Sequence, residues 1–223
     1  MPERSATNWI RAGALALPLY GLLTLWTTFI HQPDPNTDFE AYARYVSTTN
    51  YLVDHLLGSI LGTTLGIFGA IALGAYLARS RVGRSALLAM VLNVAGSCLI
   101  LTIFGMSTFA TPAVGRAYLA GQQNIVEVNQ DIIGVPVILT ALVGGVLYSV
   151  ATILFGVAIW RSGALPRWAG ALYAPTGFLI SILGLMVGAS QTLGSLLIVA
   201  GGGWIAWSIW LRPHAIDTRE RVL

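Results

Sequence analysis

Residues 51–84 read YLVDHLLGSILGTTLGIFGAIALGAYLARSRVGR. Between Asp54 and Arg79 this stretch contains no charged side chain, then Arg79, Arg81 and Arg84 arrive together. About 20 apolar residues in a helix cross a hydrocarbon layer of roughly 30 Å, so the run predicts a membrane span closed by a basic turn. The pattern repeats along the chain. Spans are expected at about residues 8–30, 51–78, 85–109, 136–160, 166–188 and 192–211, followed by a short tail, 212–223. The predicted class is an all-α polytopic membrane protein: one domain over residues 1–223 with six transmembrane helices and two short external amphipathic helices.

Composition agrees with the lipid bilayer as the main solvent and partner. Of 223 residues, 56% are hydrophobic and 9% charged, against about 25% charged in soluble domains. The same figures exclude disordered and disulfide-rich secreted classes. Cys98 is the single cysteine, so no intrachain disulfide forms. Every basic residue is arginine, which removes lysine Schiff-base chemistry and the phosphate-loop lysine.

The arginines orient the spans. Arg4, Arg11, Arg79, Arg81, Arg84, Arg161, Arg167, Arg212, Arg219 and Arg221 fall on one side, which the positive-inside rule makes cytoplasmic. The opposite segments carry Arg44 and Arg116 against Asp34, Asp38, Glu40, Glu127 and Asp131 and are expected to be external. Both termini are therefore expected in the cytoplasm. The first run reads as a signal anchor, because Ala12–Ile30 is longer than a signal-peptide core and no small-x-small site follows it. Trp9, Trp160, Trp168 and Trp210 at one set of span ends, and Trp26 at the other, suit the membrane interface. Pro18 and Pro175 are expected to kink the first and fifth spans.

Two long segments face outward. In the first, Thr37-Asp38-Phe39-Glu40 fits a helix start, and Phe39, Tyr42, Tyr45 and Val46 would share one face of the helix that follows. In the second, about 110–135, Asn124 precedes Glu127 by three residues and Val128, Ile132 and Ile133 supply an apolar face, with Pro136 as the stop.

Gly58, Gly62, Gly66, Ala70 and Gly74 recur every four residues, a ridge that lets a second helix approach closely. The expected neighbour lies within the chain. The stretches Phe68–Gly96 and Phe155–Gly177 share a helix, basic turn, helix layout that would make a parallel repeat of spans two and three with spans four and five.

Chemistry is sparse. The chain lacks phosphate-loop, HExxH, CxxC and GxSxG patterns, and its divided arginines give no nucleic-acid surface. No cofactor is expected; of the three histidines, His214 lies in the tail, apart from His31 and His55. Ionisable groups within spans are costly and mark functional positions by default. Asp54 and His55 open the second span at its external end, His31 ends the first span on that side, and Glu127 and Asp131 lie one turn apart on the external connection. Together they are the ligand-binding candidates, as a cation, proton or headgroup site. A divalent metal would need about four of them to converge. The structural alternatives are an Asp54 helix cap, a His55 bond to a neighbouring loop, and solvated loop acids. Asn93 reads as interhelical glue and Cys98 as packing.

The turn Trp160-Arg161-Ser162-Gly163-Ala164-Leu165-Pro166-Arg167-Trp168-Ala169-Gly170 resembles that of a group of uncharacterised bacterial six-helix membrane proteins in which an RSGxxPRW pattern recurs. The resemblance implies a polytopic plasma-membrane protein and carries no catalytic residue with it. Three functions stay open. The first is a non-enzymatic accessory subunit or envelope-associated factor with a membrane-protein partner. The second is a small-molecule transporter or channel. The third is an intramembrane enzyme acting on a lipid or isoprenoid through Asp54 or His55.

Overall fold

The computed structural model describes residues 2–122 and 124–211, with side chains from Thr7 onward. The tail beyond Leu211, including His214 and its three arginines, lies outside the described residues, as does the side chain of Arg4. Every regular element among the described residues is helical: α1 (Pro2–Thr27), α2 (Phe39–Val46), α3 (Thr49–Asp54), α4 (Gly62–Ala78), α5 (Gly83–Leu119), α6 (Ile125–Ile132), α7 (Val135–Ser162), α8 (Arg167–Tyr173) and α9 (Gly188–Leu211). A π-helical stretch, His55–Leu61, joins α3 to α4. Six helices are long and apolar enough to cross a membrane: Thr7–Thr27, Thr49–Ala78, Gly83–Leu119, Ile125–Ser162, Arg167–Leu185 and Gly188–Leu211.

These six form a closed ring. Each packs on its chain neighbours, and the last, α9, packs on the first, α1. Leu17, Leu73, Phe155, Ile159, Tyr173 and Ile205 come from five of them to fill one half of the interior, all essentially without exposed surface. Tyr20, Tyr148 and Ile198 fill its middle. The outside is covered by apolar side chains such as Leu22, Phe68, Val91, Leu139, Val150 and Trp207, so the ring is greasy on both faces. One end of the ring holds Arg11, Arg79, Arg81, Arg84, Arg161 and Arg167; the other holds every described carboxylate from Asp34 to Asp131.

The glycine ridge faces α1. A methyl on Gly58 would collide with Thr27, on Gly62 would sit 3.5 Å from Leu23, and on Gly66 would press on the Tyr20 ring at 3.2 Å. The row then turns away. Two further steps of four residues advance about 80° around a helix of 3.6 residues per turn, so Gly74 meets Met90 of α5 and Gly69, not Ala70, meets Leu17.

At the arginine-rich end the two short turns share a bond pattern. Ser80 donates to the Leu77 carbonyl and accepts from the Val82 N–H; Ser162 donates to Ile159 and accepts from Ala164. Gly163 takes the left-handed conformation that ends α7 (φ 69°), and Pro166 precedes the first residue of α8. The likeness stops there. Gly96 packs on the helix that follows its own span, whereas its counterpart Gly177 packs on the helix that precedes it; both meet α7 at Tyr148. Gly69 and Gly156 differ in the opposite sense, the first packing on the preceding span at Leu17 and the second on the following span at Gly170, so the shared feature is the turn itself.

Three details differ from expectation. The helix that carries the third span does not stop at Phe109: α5 continues unbroken to Leu119 through Pro112, about 55 Å at 1.5 Å per residue. The projecting part is held because α2 packs on it, with Ala43, Val46 and Ser47 closing over Gly115, and because the Tyr51 hydroxyl donates to the Ser107 carbonyl at 3.0 Å. The fifth span is broken, not merely kinked. After α8 the chain passes Pro175, makes one π-helical turn (Phe178–Ile182) and one 3-10 turn (Leu183–Leu185). Finally, the second short external helix is present as α6, but Asn124 makes no capping bond, and α6 buries Asn129 while Val128 and Ile133 are exposed. These apolar side chains continue the outward face of α7 at Val135, Ile138 and Leu139.

Candidate functional site

The acidic end is built around α2 and α3. Asp38 caps α2, accepting from the Ala41 N–H at 2.9 Å, and Glu40 pairs with Arg44 one turn on. Tyr42 and Val46 are buried, with Phe39 and Tyr45 packed against them. Burial, reinforced by the neighbouring Tyr51, pushes the Tyr42 phenol up to about 12, so it stays protonated as a donor. Phe39 also meets Tyr118 of α5 edge-on at 4.8 Å.

Thr48 starts α3 by accepting from the Tyr51 N–H. Asp54 therefore sits well inside the helix and makes no cap, contrary to one expectation for it. Tyr51 is fully buried and is sandwiched between Tyr45, edge-on at 5.5 Å, and the His55 ring at 4.0 Å. His55 Nδ1 lies 3.0 Å from the Tyr51 carbonyl oxygen, inside its own helix and not on a loop. A carbonyl only accepts, so Nδ1 carries the proton and Nε2 keeps its lone pair. The His55 backbone N–H reaches the same carbonyl, at the point where the helix widens to π geometry. Asp54, half-buried, lies close enough to Tyr45 and His55 to act on both electrostatically. Burial first, and the Asp54 charge second, raise the Tyr45 phenol above its ordinary value.

The remaining candidates stand apart. His31 is exposed on the connection after α1, and Glu127 and Asp131 are exposed on α6. Among the described residues no three His, Cys, Asp or Glu side chains come together as a metal site. The arrangement at Asp54 and His55 therefore offers one imidazole lone pair beside one carboxylate. It has no second carboxylate and no activated nucleophile. A groove of about 310 Å³ opens nearby between the α2–α3 corner and α5, lined among others by Ser47, Thr48, Thr108 and Arg116. The three hydroxyls spend their protons on the Ala43, Tyr45 and Phe104 carbonyls, and Thr108 is fully buried.

Sequence reasoning passed over the hydroxyls at the centre of the ring. Tyr20 of α1 and Tyr148 of α7 share a buried hydrogen bond of 3.1 Å. The Thr152 hydroxyl of α7 shares its one proton between the Ser149 carbonyl at 3.0 Å and the Ala174 carbonyl at 3.1 Å and accepts from the Gly177 N–H at 3.2 Å, bridging the break at Pro175. Ser149 and Ser181 meet at 3.2 Å beside it. The available signal was tyrosine at mid-span, where a phenol in an apolar setting needs a partner.

Comparison with known proteins finds no matching family model, no similar curated protein and no similar solved structure.

Proposed function

We propose that this chain is a multi-pass protein of a bacterial plasma (inner) membrane that has no catalytic centre of its own and works through contact, as an accessory subunit or envelope-associated factor. The membrane part rests on a ring that is apolar outside as well as inside, a surface that water does not tolerate over such an area. The six arginines at one end and the six described carboxylates at the other support a cytoplasmic arginine-rich end. The RSGxxPRW-type turn, whose likeness is to uncharacterised six-helix membrane proteins, fits the same setting.

The observation that carries the contact reading is the dispersal of the titratable groups. His31 is exposed on the connection after α1 and Glu127 and Asp131 are exposed on α6, no three such groups converge among the described residues, and His55 spends its Nδ1 proton on its own helix and its ring on Tyr51. A histidine and an aspartate so placed stabilise the α3 corner. Asp54→Asn combined with His55→Gln is therefore expected to complement a deletion strain fully, with melting in detergent lowered by no more than about 1 kcal/mol equivalent. Chemical crosslinking in native membranes is expected to trap the chain with a partner protein in fixed stoichiometry. A variant that folds to wild-type abundance yet fails to complement, or a chain that crosslinks to nothing, sinks the proposal.

A further inference from the structure

We infer that the turn between α4 and α5 binds the phosphate of an anionic phospholipid. The inference rests on the proposed membrane setting and adds a site to it.

Two basic turns are tied together at the arginine-rich end. The Arg81 Nε–H donates to the Arg161 carbonyl at 2.7 Å, which fixes the guanidinium plane and leaves its terminal nitrogens without a partner among the described residues. Arg84 follows one turn into α5 and is exposed, with no ion pair. Between them opens a pocket of about 410 Å³, lined by Ser80, Arg81, Arg84, Ser85 and Leu87 among others. The Ser80 proton is already committed to the Leu77 carbonyl, whereas the Ser85 hydroxyl has no partner within the described chain. The pocket thus presents two guanidinium groups and one free hydroxyl, all donors, and no described carboxylate lies at this end of the ring. A phosphate monoanion matches that set, because each guanidinium offers paired N–H groups to its oxygens.

What lies below the pocket selects a lipid over a soluble anion. Leu87, Leu88 and Val91 are 43%, 52% and 57% exposed and form an apolar wall running down the outer face of α5 from the pocket floor. A phosphate held between Arg81 and Arg84 would lay its acyl chains along that wall. The headgroup class follows from charge. A choline or ethanolamine ammonium would face guanidinium groups with no carboxylate among the described residues to offset them. The nearest paired aromatics, Trp160 and Trp168, are covered by the Arg167 guanidinium at 5.6 and 5.8 Å. A glycerol headgroup carries no such penalty.

The test uses the full-length protein in nanodiscs of phosphatidylcholine doped with phosphatidylglycerol, released into neutral detergent and read by native mass spectrometry. Wild type is expected to retain phosphatidylglycerol about tenfold over its share of the nanodisc, about 1.4 kcal/mol of preference. Arg81→Gln with Arg84→Gln is expected to bring retention to parity. Because Arg81 also ties the turns, Arg84→Gln with Ser85→Ala, which breaks no bond within the chain, serves as the second variant and is expected to lose most of the enrichment. Arg44→Gln at the opposite end is expected to keep it. Equal retention of the two lipids by wild type, or enrichment that survives both variants, overturns the site. Displacement of the lipid by millimolar glycerol phosphate would do so too, by showing a soluble phosphate ester as the ligand. Extraction of the chain from membranes by alkaline carbonate would instead sink the membrane reading on which the inference rests.

Discussion

Gly96→Ala is expected to destabilise the ring by about 3 kcal/mol, the upper end of the range for overpacking, enough to remove most folded protein from the membrane. A methyl at Gly96 would stand 2.7 Å from the Gly144 carbonyl oxygen and 2.7 Å from the Tyr148 backbone nitrogen. Both obstacles are backbone of α7, so no rotamer change relieves the contact and the two helices must separate. Gly144 is in turn closed by Gly96, whose carbonyl would lie 3.1 Å from a methyl there. The control is Gly62→Ala on the other glycine row. There the nearest atom is Leu23 Cβ at 3.5 Å, ordinary contact. That variant is expected to be neutral or slightly stabilising, since alanine favours helix by up to about 1 kcal/mol over glycine. Thermal unfolding followed by tryptophan fluorescence in a mild detergent reads both. Equal effects from the two substitutions would show that α5 and α7 do not cross at these glycines.

Thr152→Val is expected to cost about 2 kcal/mol although it changes almost no volume. Proline 175 ends α8 because its ring has no N–H and clashes with the preceding turn. The break frees the Ala174 carbonyl and the Gly177 N–H inside an apolar bundle, where an unpaired group costs about 1–3 kcal/mol. The fully buried Thr152 hydroxyl accepts from the Gly177 N–H and shares its one proton between the Ala174 and Ser149 carbonyls. Valine leaves the Ala174 carbonyl and the Gly177 N–H unpaired. Thr152→Ser keeps the hydroxyl and is expected to lose less than half as much. If valine melts with wild type, or serine is as damaging as valine, Thr152 does not hold the break.

Much of this architecture is legible in the sequence because hydropathy and arginine placement act over whole spans. The Tyr51–Arg84 stretch alone shows a helix of spanning length and a basic turn, and the helix and turn are where they were expected. Asp38 and the Phe39, Tyr42 and Val46 face of α2 were readable for a similar reason, since cap and periodicity are local. The misses are tertiary. Nothing local says that α5 should run past Phe109; α2 and Tyr51 hold that extension, and they precede it by more than fifty residues. Proline 112 would argue for a stop there, as Pro175 does in the fifth span, yet only the second helix breaks. Asn129 is buried on α6 where the apolar pattern placed Val128, because α6 turns its apolar residues outward along α7. At the site, residue type nominated Asp54 and His55, and both do lie together at the α3 corner. It could not show that His31 and the α6 acids Glu127 and Asp131 form no common cluster with Asp54 and His55, nor that His55 would bond its own helix.

The glycine pattern had a similar limit. The four-residue spacing of Gly58, Gly62 and Gly66 marks a close approach, and these positions face α1. The tightest backbone contacts between different spans lie elsewhere, at Gly96 with α7 and at Gly156 with Gly170, where no repeated spacing announces them. A single glycine at a crossing point is invisible without the partner helix.

The orientation of the ring is the claim on which the rest depends, and cysteine labelling in intact bacterial cells tests it most directly. Cys98, which is exposed on α5, is first replaced by serine, and single cysteines are placed at Asn36, Gln130 and Ser85, all exposed. With a membrane-impermeant maleimide, Asn36→Cys and Gln130→Cys are expected to label in intact cells, and Ser85→Cys only after the membrane is opened. Labelling of Ser85→Cys in intact cells, or protection of Asn36→Cys, would contradict a six-span ring with its arginine-rich end in the cytoplasm.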